Sequence, residues 1–340
     1  MKALRIFGTI LVCLLVACLV YLYLWSLVFG ARFDDLSAAA EARSRQPHYI
    51  IDADTANEVD DLFAIVGALA RDNRYHYDRP LLVGLTAAQF HTSPLAGSTT
   101  ALESQRINEQ LLKLMYATVP SFPGSDQPLR SATEAQPSPA SQFIVAEARK
   151  ASPEQKLTVF ILGSCTNLAS AILSDSSIVP NVHARYLGFW YDPATGVYDK
   201  KEFNTGNDPA ALNLLLNTKG LEFTVMTATS SQALQMTREQ LDNKLPADSP
   251  VTQYLQKRWD TYDRWWTEAD PGKKQWTMWD VASLEAWFNP QFATLENRPA
   301  PAENLPRDIN VYTAIDSGQM LEQWFMVVDS SLRATAKAIQ

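Results

Sequence analysis

The chain has 340 residues, 46% of them hydrophobic and 19% charged, with a formal net charge of −8. That balance excludes a disordered chain and is long enough for one large α/β domain with a sizeable core. The negative charge argues against nucleic-acid binding, which needs a basic face to displace counterions from phosphates, and suits a protein that concentrates a divalent cation.

At the N-terminus, Lys2 and Arg5 precede an apolar run over residues 6–30. A run of roughly 25 residues is long enough to cross a bilayer core, whereas the apolar part of a cleaved signal peptide spans about 7–15. Positive charge before the run predicts a cytoplasmic N-terminus, and Tyr21, Tyr23 and Trp25 fit an interfacial aromatic belt. The expectation is a single-pass signal anchor over 1–31 and a polar, Ala-rich stalk over 32–46. A domain over 47–340 then lies outside the cytoplasm, in the periplasm or at the cell exterior. Two alternatives are a cleaved signal and a lipoprotein acylated at Cys18, since Leu15-Val16-Ala17-Cys18 resembles a lipobox. The chain stays apolar from Leu19 to Val28, where a mature lipoprotein turns polar.

Within the domain, short β-rich runs at 49–51, 81–86, 157–162, 184–190, 221–226 and 309–312 alternate with helical patterns. The latter lie at 61–71, 103–117, 141–150, 167–173 and 209–216. Strands alternating with helices predict an α/β fold with a mostly parallel open sheet and helices on both faces. Ligands bind such sheets beyond the carboxyl ends of the strands, so the residues just after each strand are the ones to watch. No internal repeat is present, and the Pro/Ser/Ala-rich stretch 132–141 reads as a surface loop.

The first run ends in Asp52-Ala53-Asp54-Thr55-Ala56-Asn57-Glu58-Val59-Asp60-Asp61, five acids within ten residues. Carboxylates crowded at a strand end repel one another unless a cation sits among them. A helix cap accounts for Asp60 or Asp61 alone, but not for Asp52, Asp54, Asp60 and Asp61 together. Cys165 is the one cysteine outside the N-terminal run, and His48, His76, His91 and His183 are scattered. That leaves no disulfide framework and no Cys- or His-based zinc motif. Hard oxygen ligands favour Ca²⁺ or Mg²⁺.

This loop resembles the Asp-x-Asp-Pro-Gly-x-Asp-Asp fingerprint of the inosine–uridine nucleoside hydrolase family, with two extra residues and no Pro-Gly. It looks like a divergent branch whose loop carries an Asn before the Asp-Asp pair. Further stretches follow in the family's order over most of 48–335. Leu162-Gly163-Ser164-Cys165-Thr166-Asn167 resembles its Leu-Gly-Pro-Leu-Thr-Asn turn. Glu202-Phe203-Asn204 before Asn207-Asp208-Pro209 resembles its Glu-Phe-Asn…Asp-Pro segment. Trp279-Asp280 resembles its late His-Asp turn. The resemblance implies a Ca²⁺ held by Asp54, Asp61, Asp280 and the main-chain carbonyl of Thr166. It implies Asp54 as general base and Asp60, Glu202 and Asn204 as holders of sugar hydroxyls. Taken alone, Thr166, Asn167 and Asp280 read equally as helix caps, and Glu202-Phe203-Asn204 as a loop.

The departures bear on the leaving group. Trp279 stands where the family has its His, and Tyr191-Asp192-Pro193-Ala194-Thr195-Gly196 replaces an Asn-rich loop. His91 is the remaining acid candidate. Trp279 could line an aromatic pocket, while Trp259, Trp265, Trp266 and Trp276 read mainly as core. The expected activity is hydrolysis of ribonucleosides or related ribosides by a metal-activated water; a homo-oligomer stays open. Two rival readings are a non-catalytic carbohydrate- or nucleoside-binding protein on the same scaffold and a haloacid-dehalogenase-type phosphatase. The phosphatase motif wants Thr or Val where Ala56 stands.

Overall fold

A computed structural model describes residues 48–75, 81–263 and 270–339, together with Tyr21. The expected anchor and stalk, Tyr21 apart, fall outside the described residues, as do His76, Trp265 and Trp266. Among the described residues no helix is long and apolar enough to cross a membrane.

The chain runs from β1 (Tyr49–Ala53) through the acidic loop to α1 (Asp60–Tyr75), β2 (Leu82–Ala87), α2 (Thr100–Leu114) and β3 (Ser121–Pro123). Then come α3 (Pro139–Ala148), β4 (Leu157–Ile161), α4 (Thr166–Ser174) and β5 (Val182–Gly188). A small hairpin, β6 (Trp190–Asp192) and β7 (Val197–Asp199), precedes α5 (Phe203–Asn207), α6 (Pro209–Asn217), β8 (Glu222–Thr227) and α7 (Ala228–Ser231). An excursion follows: β9 (Gln235–Thr237), α8 (Arg238–Lys244), α9 (Pro250–Thr261) and β10 (Gln275–Thr277). The chain continues through α10 (Trp279–Phe288), β11 (Ala293–Pro299), β12 (Asp308–Ile315) and α11 (Ser317–Ile339).

Eight strands form one sheet in the order β11-β12-β8-β5-β4-β1-β2-β3. Every pair is parallel except β11 with β12. Helices cover both faces. β1 and β4 are therefore buried along their whole length, which is why they read as unbroken apolar runs rather than alternating ones. Tyr49 and Ile51 face one core with Phe63 and Trp324, and Ile50 faces the other with Val159, Leu168 and Leu212. Connections leaving β1 and β4 run to opposite edges of the sheet. Their carboxyl ends thus diverge and leave a crevice, where doubly wound sheets bind ligands.

Two expectations need correction in detail. The strand read at 184–190 starts earlier and stops at Gly188, because Phe189 adopts φ 59° and breaks the pleat. The loop read at 132–141 ends sooner: Ser138 and Ser141 make reciprocal capping bonds that start α3 at Pro139.

Candidate active site

The site is built at the β1/β4 crevice. Asp52, still within β1, is wholly buried and works as a bolt. Its Oδ1 accepts from Thr86 Oγ1 (2.7 Å) and Asn167 Nδ2 (2.8 Å), tying three elements together. Burial pushes its carboxyl up to about 6, against the pull of those two donors. Asp54 follows at the strand's end and turns into the crevice. A Cβ on Gly163 would lie 3.1 Å from both Cβ and Cγ of Asp54, so the bare backbone at that position gives the carboxylate its seat.

The loop from Asp54 to Asp60 is held from outside. Thr55 Oγ1 donates to the Ser104 carbonyl (2.9 Å), and the Ala56 N–H donates to Ser104 Oγ (3.3 Å), both from α2. The Asn57 N–H closes a turn onto the Asp54 carbonyl (2.7 Å). Asp60 and Asp61 then open α1, where the helix dipole favours acids. Asp60 reaches further. Its Oδ2 accepts from the Asp280 N–H (3.1 Å). It thereby caps α10, whose own N-cap residue, Met278, provides no side-chain bond. At the far ends of the same two helices, Arg71 donates to both oxygens of Glu285 (2.6 and 2.7 Å) and lies over the Phe288 ring. α10 is thus fixed to α1 at both ends, and Asp280 is fixed with it.

The result is an acid cluster. One oxygen from each of Asp60, Asp61 and Asp280 lies within 4.8 Å of the others. Asp54 adjoins them, and its charge raises the carboxyl of Asp280. Burial first, and then mutual repulsion, pushes Asp54, Asp61 and Asp280 well above the usual carboxylate range. Asp60 is pushed by burial up to about 7. One oxygen of Asp61 and one of Asp280 lie within 4.8 Å of each other, so their charges repel unless a cation sits between them. Asp54 Oδ2 and Asp61 Oδ1 are buried with no hydrogen-bond partner. Acidic oxygens that are clustered, desolvated and unpartnered suit a hard divalent cation.

The cluster forms the floor of a cavity of about 340 Å³. Its polar lining is Asp54, Asn57, Glu58, Asp60, Asp61, Glu202, Asn204 and Asp280, with no Lys, Arg or His among the described lining residues. Trp190, Phe203 and Trp279 line it too, together with Leu162, Leu187 and Ala228. The Trp190 and Trp279 rings meet edge to face, 5.9 Å apart at 86°.

The expected site residues divide. Asp54, Asp60, Asp61, Asp280, Glu202, Asn204 and Trp279 all line the cavity. Asn204 Nδ2 donates to the carbonyls of Leu162 (2.8 Å) and Leu187 (3.2 Å), joining the ends of β4 and β5. The Glu202 carboxylate caps α5. Thr166 begins α4 and is not among the lining residues; its hydroxyl donates to Asp208 Oδ2 (2.7 Å). His91 is exposed, bonded through Nδ1 to Gln89 Oε1 (2.8 Å), and does not line the cavity. Trp259 and Trp276 are core residues. Sequence reasoning missed Asn57, Trp190 and Phe203 as lining residues. Asn57 sits in the loop's two-residue excess and matches the Asn of the divergent-branch loop, and its Oδ1 is buried without a partner.

Comparison with known proteins agrees with this geometry. The family model described as inosine-uridine preferring nucleoside hydrolase matches residues 49–337. No curated protein matches the chain. Among solved structures, a purine-preferring ribonucleoside hydrolase from Gardnerella vaginalis superposes with a TM-score of 0.64 at 16% identity, over 85% of this chain and 100% of its own. A plant nucleoside hydrolase gives 0.61 at 17%, over 83% and 99%. An inosine-uridine preferring nucleoside hydrolase from Bacillus anthracis gives 0.54 at 12%, over 84% and 99%. At these identities the superpositions speak for the fold, and the family model speaks for the family. The chain belongs to the inosine-uridine preferring nucleoside hydrolase family and is a hydrolase acting on N-glycosyl compounds.

Proposed function

We propose that this hydrolase cleaves the N-glycosidic bond of a ribonucleoside or related riboside, with a Ca²⁺ ion held by Asp54, Asp61 and Asp280. The observation that carries the proposal is the convergence of buried, unneutralised carboxylates on a cavity without a cationic side chain. When bound, such an ion neutralises the cluster, orders a sugar diol and a water, and lowers the water's pKa.

The chain's own residues do the rest. Asp54, with Oδ2 free of protein donors, takes the proton as water attacks the anomeric carbon. Asp60 and Asn204 hold sugar hydroxyls. Trp190, Phe203 and Trp279 form the wall against the leaving group. That group departs with the electron pair of the C–N bond. The described lining contains no His, Lys, Cys or Tyr to protonate it. Good leaving groups should therefore be cleaved best.

The test is a Ca²⁺-supplemented assay of ribose release. p-Nitrophenyl riboside should be cleaved much faster than inosine, and chelation should abolish both reactions. Asp54→Asn should lower kcat by about 10²–10⁴-fold, the range for a lost general base, while D-ribose still binds. His91→Ala should slow neither substrate, given its placement; selective slowing of inosine would restore it as the acid. Absence of Ca²⁺-dependent ribose release from any nucleoside or nitrophenyl substrate would end the proposal.

We also propose that residues 1–31 anchor the domain at the outer face of a membrane. The full-length protein should then stay in the membrane fraction after carbonate washing. A soluble product starting near Phe33 would overturn this, and acylation at Cys18 would replace it with a lipoprotein.

A further inference from the structure

Asn57 is a polar residue buried without an internal partner. Burial alternates along its loop: Thr55, Asn57 and Val59 are buried, while Ala56 and Glu58 are half-buried. Val59 packs into the core. Thr55 is satisfied, since its hydroxyl donates to the Ser104 carbonyl (2.9 Å) and lies 3.0 Å from Asn108 Oδ1. Asn57 is 2% exposed and lines the cavity, and its Oδ1 is buried with no hydrogen-bond partner. A buried amide oxygen left without a donor is destabilising unless a ligand satisfies it.

The backbone fixes where that oxygen sits. The Asn57 N–H donates to the Asp54 carbonyl (2.7 Å), which folds residue 57 back beside the first acid of the cluster. The Thr55 hydroxyl and the Ala56 N–H tie the preceding residues to α2. The side chain is thereby held in the cavity that Asp54, Asp61 and Asp280 also line.

The kind of atom left unsatisfied there narrows the ligand. Asp54 Oδ2 and Asp61 Oδ1 are orphaned as Asn57 Oδ1 is. All three are acceptors, and no described lining residue has a buried donor left over. A sugar hydroxyl or a water carries acceptor lone pairs together with its protons, so it is matched by orphaned donors as well as acceptors. A hard cation is matched by acceptors alone, and Ca²⁺ takes about six to eight of them. Thr166, to which the resemblance assigns the uncharged ligand, opens α4 and does not line the cavity.

We propose that Asn57 is a direct ligand of the cation: its Oδ1 supplies the uncharged oxygen beside the carboxylates of Asp54, Asp61 and Asp280. The loop's two extra residues are then what carries this ligand into the site. The inference rests on the reading of the cavity as a Ca²⁺ site.

Metal binding measured without substrate tests it. Calorimetry reads the Ca²⁺ affinity. Tb³⁺, a hard ion that takes oxygen ligands as Ca²⁺ does, reads the coordination. Trp190 and Trp279 line the cavity and can sensitise Tb³⁺ luminescence, and its decay in H₂O against D₂O counts the waters on the ion. Asn57→Ala should weaken Ca²⁺ binding by at least about tenfold, the low end for losing a group that supports a metal site. One more water should then appear on Tb³⁺. This second readout separates a ligand from a residue that only shapes the loop, whose loss would weaken binding without adding a water. Asn57→Asp keeps an oxygen in place and adds a charge. It should leave the water count as in the wild type and bind Ca²⁺ at least as tightly, and it makes the test should Asn57→Ala fail to fold. A wild-type water count or a wild-type affinity in Asn57→Ala, or an affinity weakened about tenfold in Asn57→Asp, overturns the proposal. If the unmodified protein binds no Ca²⁺, the Ca²⁺ reading itself has failed, an outcome distinct from a wild-type site that is indifferent to residue 57.

Discussion

Two buried acids at the two ends of α10 meet opposite fates. Glu285, 2% exposed, is paired by both oxygens with Arg71 and takes a further bond from Asn289 Nδ2 (2.8 Å). Asp280, 3% exposed on the same helix, faces Asp54, Asp60 and Asp61, and every charge near it has its own sign. Glu285 is neutralised from within the chain. Asp280 has to be neutralised from outside it. A third group, at the opposite end of the sheet, is more solvated: Lys156 bonds Glu222 (2.9 Å), and His183 Nδ1 lies 3.3 Å from the same carboxylate. Burial alone does not mark a functional acid; burial without a counter-charge does.

The comparison can be broken at several points. The largest effect should come from the unpaired cluster. Asp54→Ala, Asp61→Ala or Asp280→Ala should each abolish tight Ca²⁺ binding in calorimetry and lower kcat at least about a thousandfold, or about 4 kcal/mol. A variant that keeps wild-type affinity would remove that residue from the ligand set. Next is the internally paired acid. Arg71→Met strands the Glu285 carboxylate and should cost about 3 kcal/mol in denaturant unfolding, the lower end for a broken buried pair. A cost below about 1 kcal/mol would show that Glu285 simply takes up a proton.

The cation's own contribution ranks third. Ca²⁺ at a hundredfold its Kd should add about 2.7 kcal/mol. The ion-free protein should show the opposite trend with pH. The carboxyls of Asp52 and Asp60 are raised from 3.8 to about 6 and about 7. Below 3.8 both folded and unfolded chains hold these protons. Between there and the folded values only the folded chain does. Stability without Ca²⁺ should therefore fall as pH rises from about 4 through about 7. Melting curves with and without chelator would detect this; a midpoint that rises over that range would contradict it. The smallest effect should be at the solvated pair. Lys156→Met should change stability by no more than about 1 kcal/mol, since Glu222 is 40% exposed.

The parts legible in the sequence are those whose physics is local. Strands buried on both faces left unbroken apolar runs, so β1 and β4 could be placed to within two residues. Acids at the end of such a run signalled the cation cluster, and the Trp279-Asp280 turn could be matched to it. What escaped depends on distant partners. α10 is buried on nearly every side and so lacks the polar stripe that marks a surface helix, and only its first residues drew notice. α11 was missed although its amphipathic pattern was present. Trp190 was read as the end of a strand, because the bond that holds the break comes from Ala228, far along the chain. Asn57 gave an anomalous loop length and a resemblance but no place in the site, since Ser104 on α2 holds that loop in place. His91 drew attention by residue type and position after a strand, and lies on the surface.

Asp60 caps a helix whose first residues lie 220 positions further along the chain. At about 5–20 residues per second, translation takes roughly 10–40 seconds to span that gap. Throughout the interval the acidic loop is a solvated, self-repelling segment without its fourth carboxylate or its roof. Only when α10 arrives are the acids closed in and stripped of water. Enclosing these acids and completing the domain are therefore one late event in the protein's biosynthesis.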